Sequence, residues 1–105
     1  MFITAVFLSQ LIPLAQADPA TPKTHTVNIK DLLFTPSDLS VNIGDRIIWV
    51  NKDLIPHTAT AKSDVWDSGE ITTGNSWQTD LAKAGIINYI CAYHPSMTAR
   101  ITVID

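Results

Sequence analysis

Apolar and polar positions alternate with a period of two along "THTVNIK" at residues 24–30, where Val27 and Ile29 are set between Thr26, Asn28 and Lys30. The same period runs through "DLSVNIGD" at 38–45, with Leu39, Val41 and Ile43 set against Ser40 and Asn42. Successive side chains of an extended chain point to opposite faces, so both segments predict half-buried strands. Gly44-Asp45 then marks a turn. "RIIWVN" at 46–51 is β-rich on both faces, and the pattern leaves open whether Ile47 and Trp49 or Ile48 and Val50 point inward. Asn51-Lys52-Asp53 closes this strand. Further turns at Asp67-Ser68-Gly69, Gly74-Asn75 and Ala84-Gly85 separate the strand candidates "HTATA" (57–61), "SWQTDL" (76–81), "IINYICA" (86–92) and "ARITVI" (99–104). No window of helical length keeps apolar residues at the three-and-four spacing. About seven short strands with brief connections predict an all-β protein, an antiparallel β-sandwich in one domain.

The first 17 residues depart from this pattern. "MFITAVFLSQLIPLAQA" has no charged side chain and ends in Ala15-Gln16-Ala17, a small-x-small cleavage pattern. It reads as a cleaved export signal, with the mature domain at 18–105. As a membrane anchor the run is too short, and it is interrupted by Gln10, Pro13 and Gln16. No Lys or Arg precedes the apolar run, so the true start is expected further upstream. The net charge of −3 and the lack of a basic run argue against nucleic acid as a partner. The acids are scattered and read as solvated surface.

Cysteine usage changes the picture. Exported proteins use cysteines in pairs, yet this chain has one, Cys91. It stands in "YICAYHPSM" (89–97), where Cys91, His94 and Met97 recur at intervals of three. Tyr89 and Ile87 share a face with Cys91, so its sulfur is expected to point toward the core, with His94 and Met97 on the loop to the next strand. A soft metal held there needs one more strong donor. His57 in "DLIPHTA" is a lone histidine among apolar neighbours and supplies it. Two imidazoles, a thiolate and a weak axial thioether suit copper in both oxidation states, the blue-copper arrangement. Zinc fits less well, because Met97 would be a poor fourth ligand. Residue by residue, a buried thiol, a surface histidine and a packing methionine explain the same positions; their joint spacing around a single cysteine favours a metal. His25, at the start of the first strand, has no partner motif and reads as a surface residue.

The chain resembles the cupredoxins, the small blue copper family, and within it the amicyanin and plastocyanin-like branch. The resemblance spans "FTP" (34–36), "GDRIIWVN" (44–51), "PHT" (56–58), "AGIINYICAYHPSM" (84–97) and the last strand. Two residues between Cys91 and His94 and two between His94 and Met97 match the short loop of amicyanin. This resemblance implies a Greek-key sandwich that binds one copper ion through His57, Cys91, His94 and Met97. Asn51 is expected to tie the His57 loop to its neighbours. Thr58 stands where many members have asparagine; it keeps the backbone N–H toward the cysteine sulfur and puts the side-chain tether to the ligand loop at risk. The resemblance also implies that His94 reaches the surface within an apolar docking patch of Leu54, Ile55, Pro56, Pro95 and Met97.

Three functions then compete. The first is a monomeric periplasmic one-electron carrier between transient redox partners, with no stable membrane insertion after signal cleavage. The second is a copper-delivery protein whose metal is cargo. Delivery favours several exposed Met and His ligands, and the mature chain has only His25 beyond the four site residues. The third is an enzyme, and it lacks both the extra histidine clusters of a copper oxidase and the oxyanion arrangement of a cysteine hydrolase.

Overall fold

The computed structural model describes residues 21–105, so the expected export signal at 1–17 and the mature start lie outside the described residues. The described chain forms eight strands: β1 (Thr24–Lys30), β2 (Leu33–Thr35), β3 (Asp38–Asn42), β4 (Arg46–Asn51), β5 (Thr60–Ala61), β6 (Ser76–Asp80), β7 (Gly85–Ile90) and β8 (Thr98–Ile104). They make two sheets, ordered β2-β1-β4-β6 and β3-β8-β7-β5. Turn signals predict antiparallel neighbours, and each sheet also contains one parallel pairing, β1 with β4 and β3 with β8. The chain leaves the first sheet for β3 and returns for β4, so β1 and β4 run the same way. Such crossovers depend on distant connections and carry no local turn signal.

The inner faces follow the period of two. Val27 and Ile29 of β1, Ile47 and Trp49 of β4, and Ile101 and Val103 of β8 are buried. That resolves the ambiguity of "RIIWVN": Ile47, Trp49 and Asn51 face inward, because Trp49 packs on Trp66 and, edge-on, on Tyr89, with ring centroids 5.5 Å apart in both pairs. Burial of the Tyr89 phenol pushes its pKa up to about 12. "HTATA" yields only the two-residue β5, with His57 in an isolated bridge to Ile71. Its next two N–H groups serve other partners: Thr58 donates to Cys91 Sγ and Ala59 to Ser68 Oγ.

The hairpin joining β1 to β2 carries no glycine. Its two turn residues, Asp31 and Leu32, have φ of 53° and 59°, a left-handed conformation that costs non-glycine residues about 1 to 2 kcal/mol each. Positive φ at both positions matches the twist of the flanking strands. An outside acceptor holds the turn: the Asp53 carboxylate takes the N–H of Asp31 at 2.6 Å and of Leu32 at 3.1 Å.

At the opposite end of β4, Asp45 is buried and accepts the N–H of Lys23 at 2.9 Å and of Asn42 at 3.0 Å. His25 Nε2 lies 2.8 Å from its second oxygen, so His25 is paired rather than the unpartnered surface residue expected. The Lys23 N–H, then His25 and the Asn42 N–H, lower the Asp45 pKa from 3.8 to about 2 against the effect of burial. A depressed carboxylate stabilises the fold fully above its unfolded pKa and loses that contribution as pH falls through the folded value. Asp45→Asn is therefore expected to melt several degrees below the parent at pH 7, with the gap closing between pH 3.8 and about 2. Thermal melts across that window check this; a gap independent of pH would show that the charge of Asp45 does not clamp β1.

Candidate metal centre

The loop from Cys91 to Met97 is closed by its own backbone. His94 N–H donates to Cys91 O at 3.2 Å, Met97 N–H donates to His94 O at 2.8 Å, and Cys91 N–H donates to Met97 O at 3.1 Å. Two successive four-residue turns that share His94 thus join Cys91, His94 and Met97. The interval of three is therefore the spacing of the backbone hydrogen bonds that fold the loop. β7 and β8 pair up to Ile90 and Thr98 and fix both ends of the loop. Cys91 is fully buried and Met97 is 4% exposed, whereas His94 is partly exposed.

His57 comes from the connection between β4 and β5 and is fully buried. Its backbone exchanges hydrogen bonds with Ile71, donating at 3.1 Å and accepting at 2.7 Å. Nδ1 lies 3.6 Å from Cys91 Sγ, and the His57 and His94 ring centroids are 5.3 Å apart. The approach is pairwise, and no tight group of three His, Cys, Asp or Glu side chains occurs among the described residues.

On the far side of the ring, His57 Nε2 is 2.7 Å from Asp53 Oδ2. Burial raises the Asp53 pKa, but the Leu32 and Asp31 N–H groups and His57 outweigh it and hold the carboxyl below its ordinary value. An ionised carboxylate can only accept, so Nε2 carries a hydrogen, and in the neutral ring Nδ1 then keeps its lone pair toward the sulfur. Sequence reasoning assigned Asp53 only to the end of a strand. The available signal was chemical: a ligating histidine needs a partner for its other nitrogen, and an acid stands four residues before it.

Asn51, also fully buried, donates from Nδ2 to Ile55 O at 2.9 Å and to Ile71 O at 2.8 Å, and accepts the Asp53 N–H at 2.9 Å. It ties both sides of the His57 loop together. Thr58 N–H donates to Cys91 Sγ at 3.3 Å. The threonine also keeps the side-chain tether that its substitution for asparagine put at risk, since Ala92 N–H donates to Thr58 Oγ1 at 2.7 Å. A hydroxyl accepts an N–H as readily as an amide oxygen does. From there a polar chain runs through Thr60 Oγ1 to Asp67 at the surface.

The residues expected to surround His94 reach the surface. Leu54 is 93% exposed, and Ile55, Pro56 and Pro95 are exposed as well. Met97, expected in this patch, is buried and contributes almost no surface. Leu32 and Leu33 are exposed on the β1–β2 hairpin, and a groove of about 560 Å³ is lined by Leu32, Leu54 and Ile55 together with Lys30, Asp31, Lys52 and Asp53.

The donor chemistry fits copper. The one cysteine forms no disulfide, is shielded from water, and faces an imidazole nitrogen whose hydrogen is committed to the opposite edge of the ring. A thiolate with imidazoles and a buried thioether is a soft set that suits copper better than zinc.

Comparison with known proteins agrees with this geometry. The cupredoxin-like domain model matches residues 1–103. Amicyanin of Paracoccus versutus is 24% identical over 96 residues, covering 87% of this chain and 72% of that protein. Amicyanin of Paracoccus denitrificans is 24% identical over 82 residues, covering 73% and 63%. Among solved structures, a copper(I) amicyanin variant superposes with a TM-score of 0.73 at 21% identity, covering 77% of this chain and 82% of that one. A purple cupredoxin from Nitrosopumilus maritimus gives 0.71 at 20% identity, covering 75% and 98%. A family match along nearly the whole chain, on the two-sheet fold of those structures, establishes that this protein belongs to the cupredoxin family.

Proposed function

We propose that this protein is a blue (type 1) copper protein that carries single electrons between periplasmic redox partners, with His57, Cys91, His94 and Met97 as ligands to one copper ion. The observation that carries the reading is the buried lone Cys91 with its sulfur 3.6 Å from the ring nitrogen of buried His57. Bound copper would supply a one-electron couple. The chain does the rest: loop and strands hold the donors in one geometry, so little has to rearrange when charge changes. The Thr58 N–H at the sulfur tempers the basicity of the thiolate.

His94, partly exposed, links the buried donors to the apolar rim formed by Leu54, Ile55, Pro56 and Pro95. A small apolar patch of this kind favours brief encounters over a lasting complex. The amicyanins and purple cupredoxin similar to this chain support the assignment to copper chemistry. No helix among the described residues is long and apolar enough to cross a membrane. Export to the periplasm rests on the pattern of residues 1–17.

Titration of residues 18–105 with Cu(II) is expected to give an intense blue band and narrow EPR hyperfine splitting at one equivalent, and Cys91→Ser is expected to lose both. A colourless parent, or copper released at once to a chelator without a reversible redox wave, would favour metal as cargo. His94→Gly supplied with imidazole is expected to retain copper while electron exchange slows markedly, measured as the self-exchange rate; an unchanged rate would remove His94 from the electron path.

A further inference from the structure

We propose that Asp53 is the positioning residue of the copper ligand His57, and that it performs this role from the same carboxylate that caps the Asp31–Leu32 turn. The inference rests on the reading of this site as a copper centre. Asp53 has a side-chain exposure of 12% and His57 of 0%. Oδ2 takes His57 Nε2 at 2.7 Å and Leu32 N–H at 3.1 Å, and Oδ1 takes Asp31 N–H at 2.6 Å. The Asp53 N–H is itself held by Asn51 Oδ1 at 2.9 Å. With three donors converging on it, the carboxylate cannot swing away from the ring.

Two consequences follow for His57. The ring is confined to the tautomer with hydrogen on Nε2, so Nδ1 is ready for metal before any metal arrives. A negative charge one hydrogen bond behind the ligand also favours the more highly charged copper state. The strained turn and the ligand share one anchor, which explains how a two-residue Asp-Leu turn persists with both φ values positive.

A turn cap and a ligand anchor can be separated by experiment. Asp31→Asn with Leu32→Gly installs an Asn-Gly turn that adopts positive φ without outside help. Asp53→Asn is then made in that background and in the parent. An amide can accept from one imidazole tautomer or donate to the other, so it no longer selects between them. In the Asn-Gly background, Asp53→Asn is expected to recover thermal stability. The apoprotein should nevertheless show a mixture of His57 tautomers in ring ¹⁵N spectra, where the parent shows one. Cu(II) affinity is expected to fall about 10- to 100-fold, the range seen when the partner of a metal-bound histidine is removed. If the loss is about tenfold greater for Cu(II) than for Cu(I), the reduction potential rises by about 60 mV. Asp53→Glu, which restores the charge, should recover much of the affinity.

Recovery of stability together with the parent's tautomer and affinities would overturn the proposal and leave Asp53 as a turn cap. Hydrogen on Nδ1 in the parent apoprotein would overturn it as well. A parent that binds no copper yet holds the Nε2 tautomer through Asp53 would sink the copper reading while supporting the positioning of His57.

Discussion

The whole arrangement depends on keeping a cysteine sulfur and an imidazole nitrogen side by side, out of water, with nothing else to neutralise or cross-link the sulfur. Neither group would stay there unaided. A buried thiol readily packs as a small hydrophobe, and a buried imidazole needs partners for both nitrogens. Here the sulfur receives the Thr58 N–H, and the far imidazole nitrogen is committed to Asp53. The only face of His57 left for new chemistry is the one that meets Cys91.

The sandwich supplies that constraint through its connections. Cys91 leaves the end of β7, while His57 lies between β4 and β5, which belong to different sheets. Asn51, Thr58 and the bridge between His57 and Ile71 tie these connections to one another, and the aromatic core around Trp49 and Tyr89 seals the space beneath. Rigid strands carry short loops, and the loops carry the donors. The opposite end is fastened separately by Asp45, which binds the Lys23 N–H and His25. One carboxylate fastens each end, buried Asp45 at one and partly buried Asp53 at the other, and only Asp53 touches a candidate ligand.

Much of this was legible in the sequence. Alternation placed β1, and a β-rich run between two turn signals placed β4, both with the bounds observed, and the interval of three gathered Cys91, His94 and Met97 into one loop. Local periodicity works for these because strand faces and tight turns are local properties. It fails where a distant group stabilises a locally unfavourable conformation. Asp31-Leu32 has no glycine to take up positive φ, so β2 went unseen; the turn exists because Asp53, more than 20 residues away, accepts its N–H groups. His25 looked unpartnered for the same reason, as Asp45 reaches it only through the parallel pairing of β1 with β4. Thr58 showed the converse: its hydroxyl replaces an amide by function, which residue identity alone does not reveal.

The central claim is that the fold builds the site before metal enters it. Crystal structures of the apoprotein and the Cu(II) protein, determined in the same crystal form, test this most directly. A preformed site predicts copper bonded to Cys91 Sγ, to Nδ1 of His57 and to the His94 ring. His57, Cys91 and Asp53 would then shift by no more than a few tenths of an ångström between the two states. Copper bound elsewhere, or a His57 ring that turns over and leaves Asp53 on loading, would contradict it.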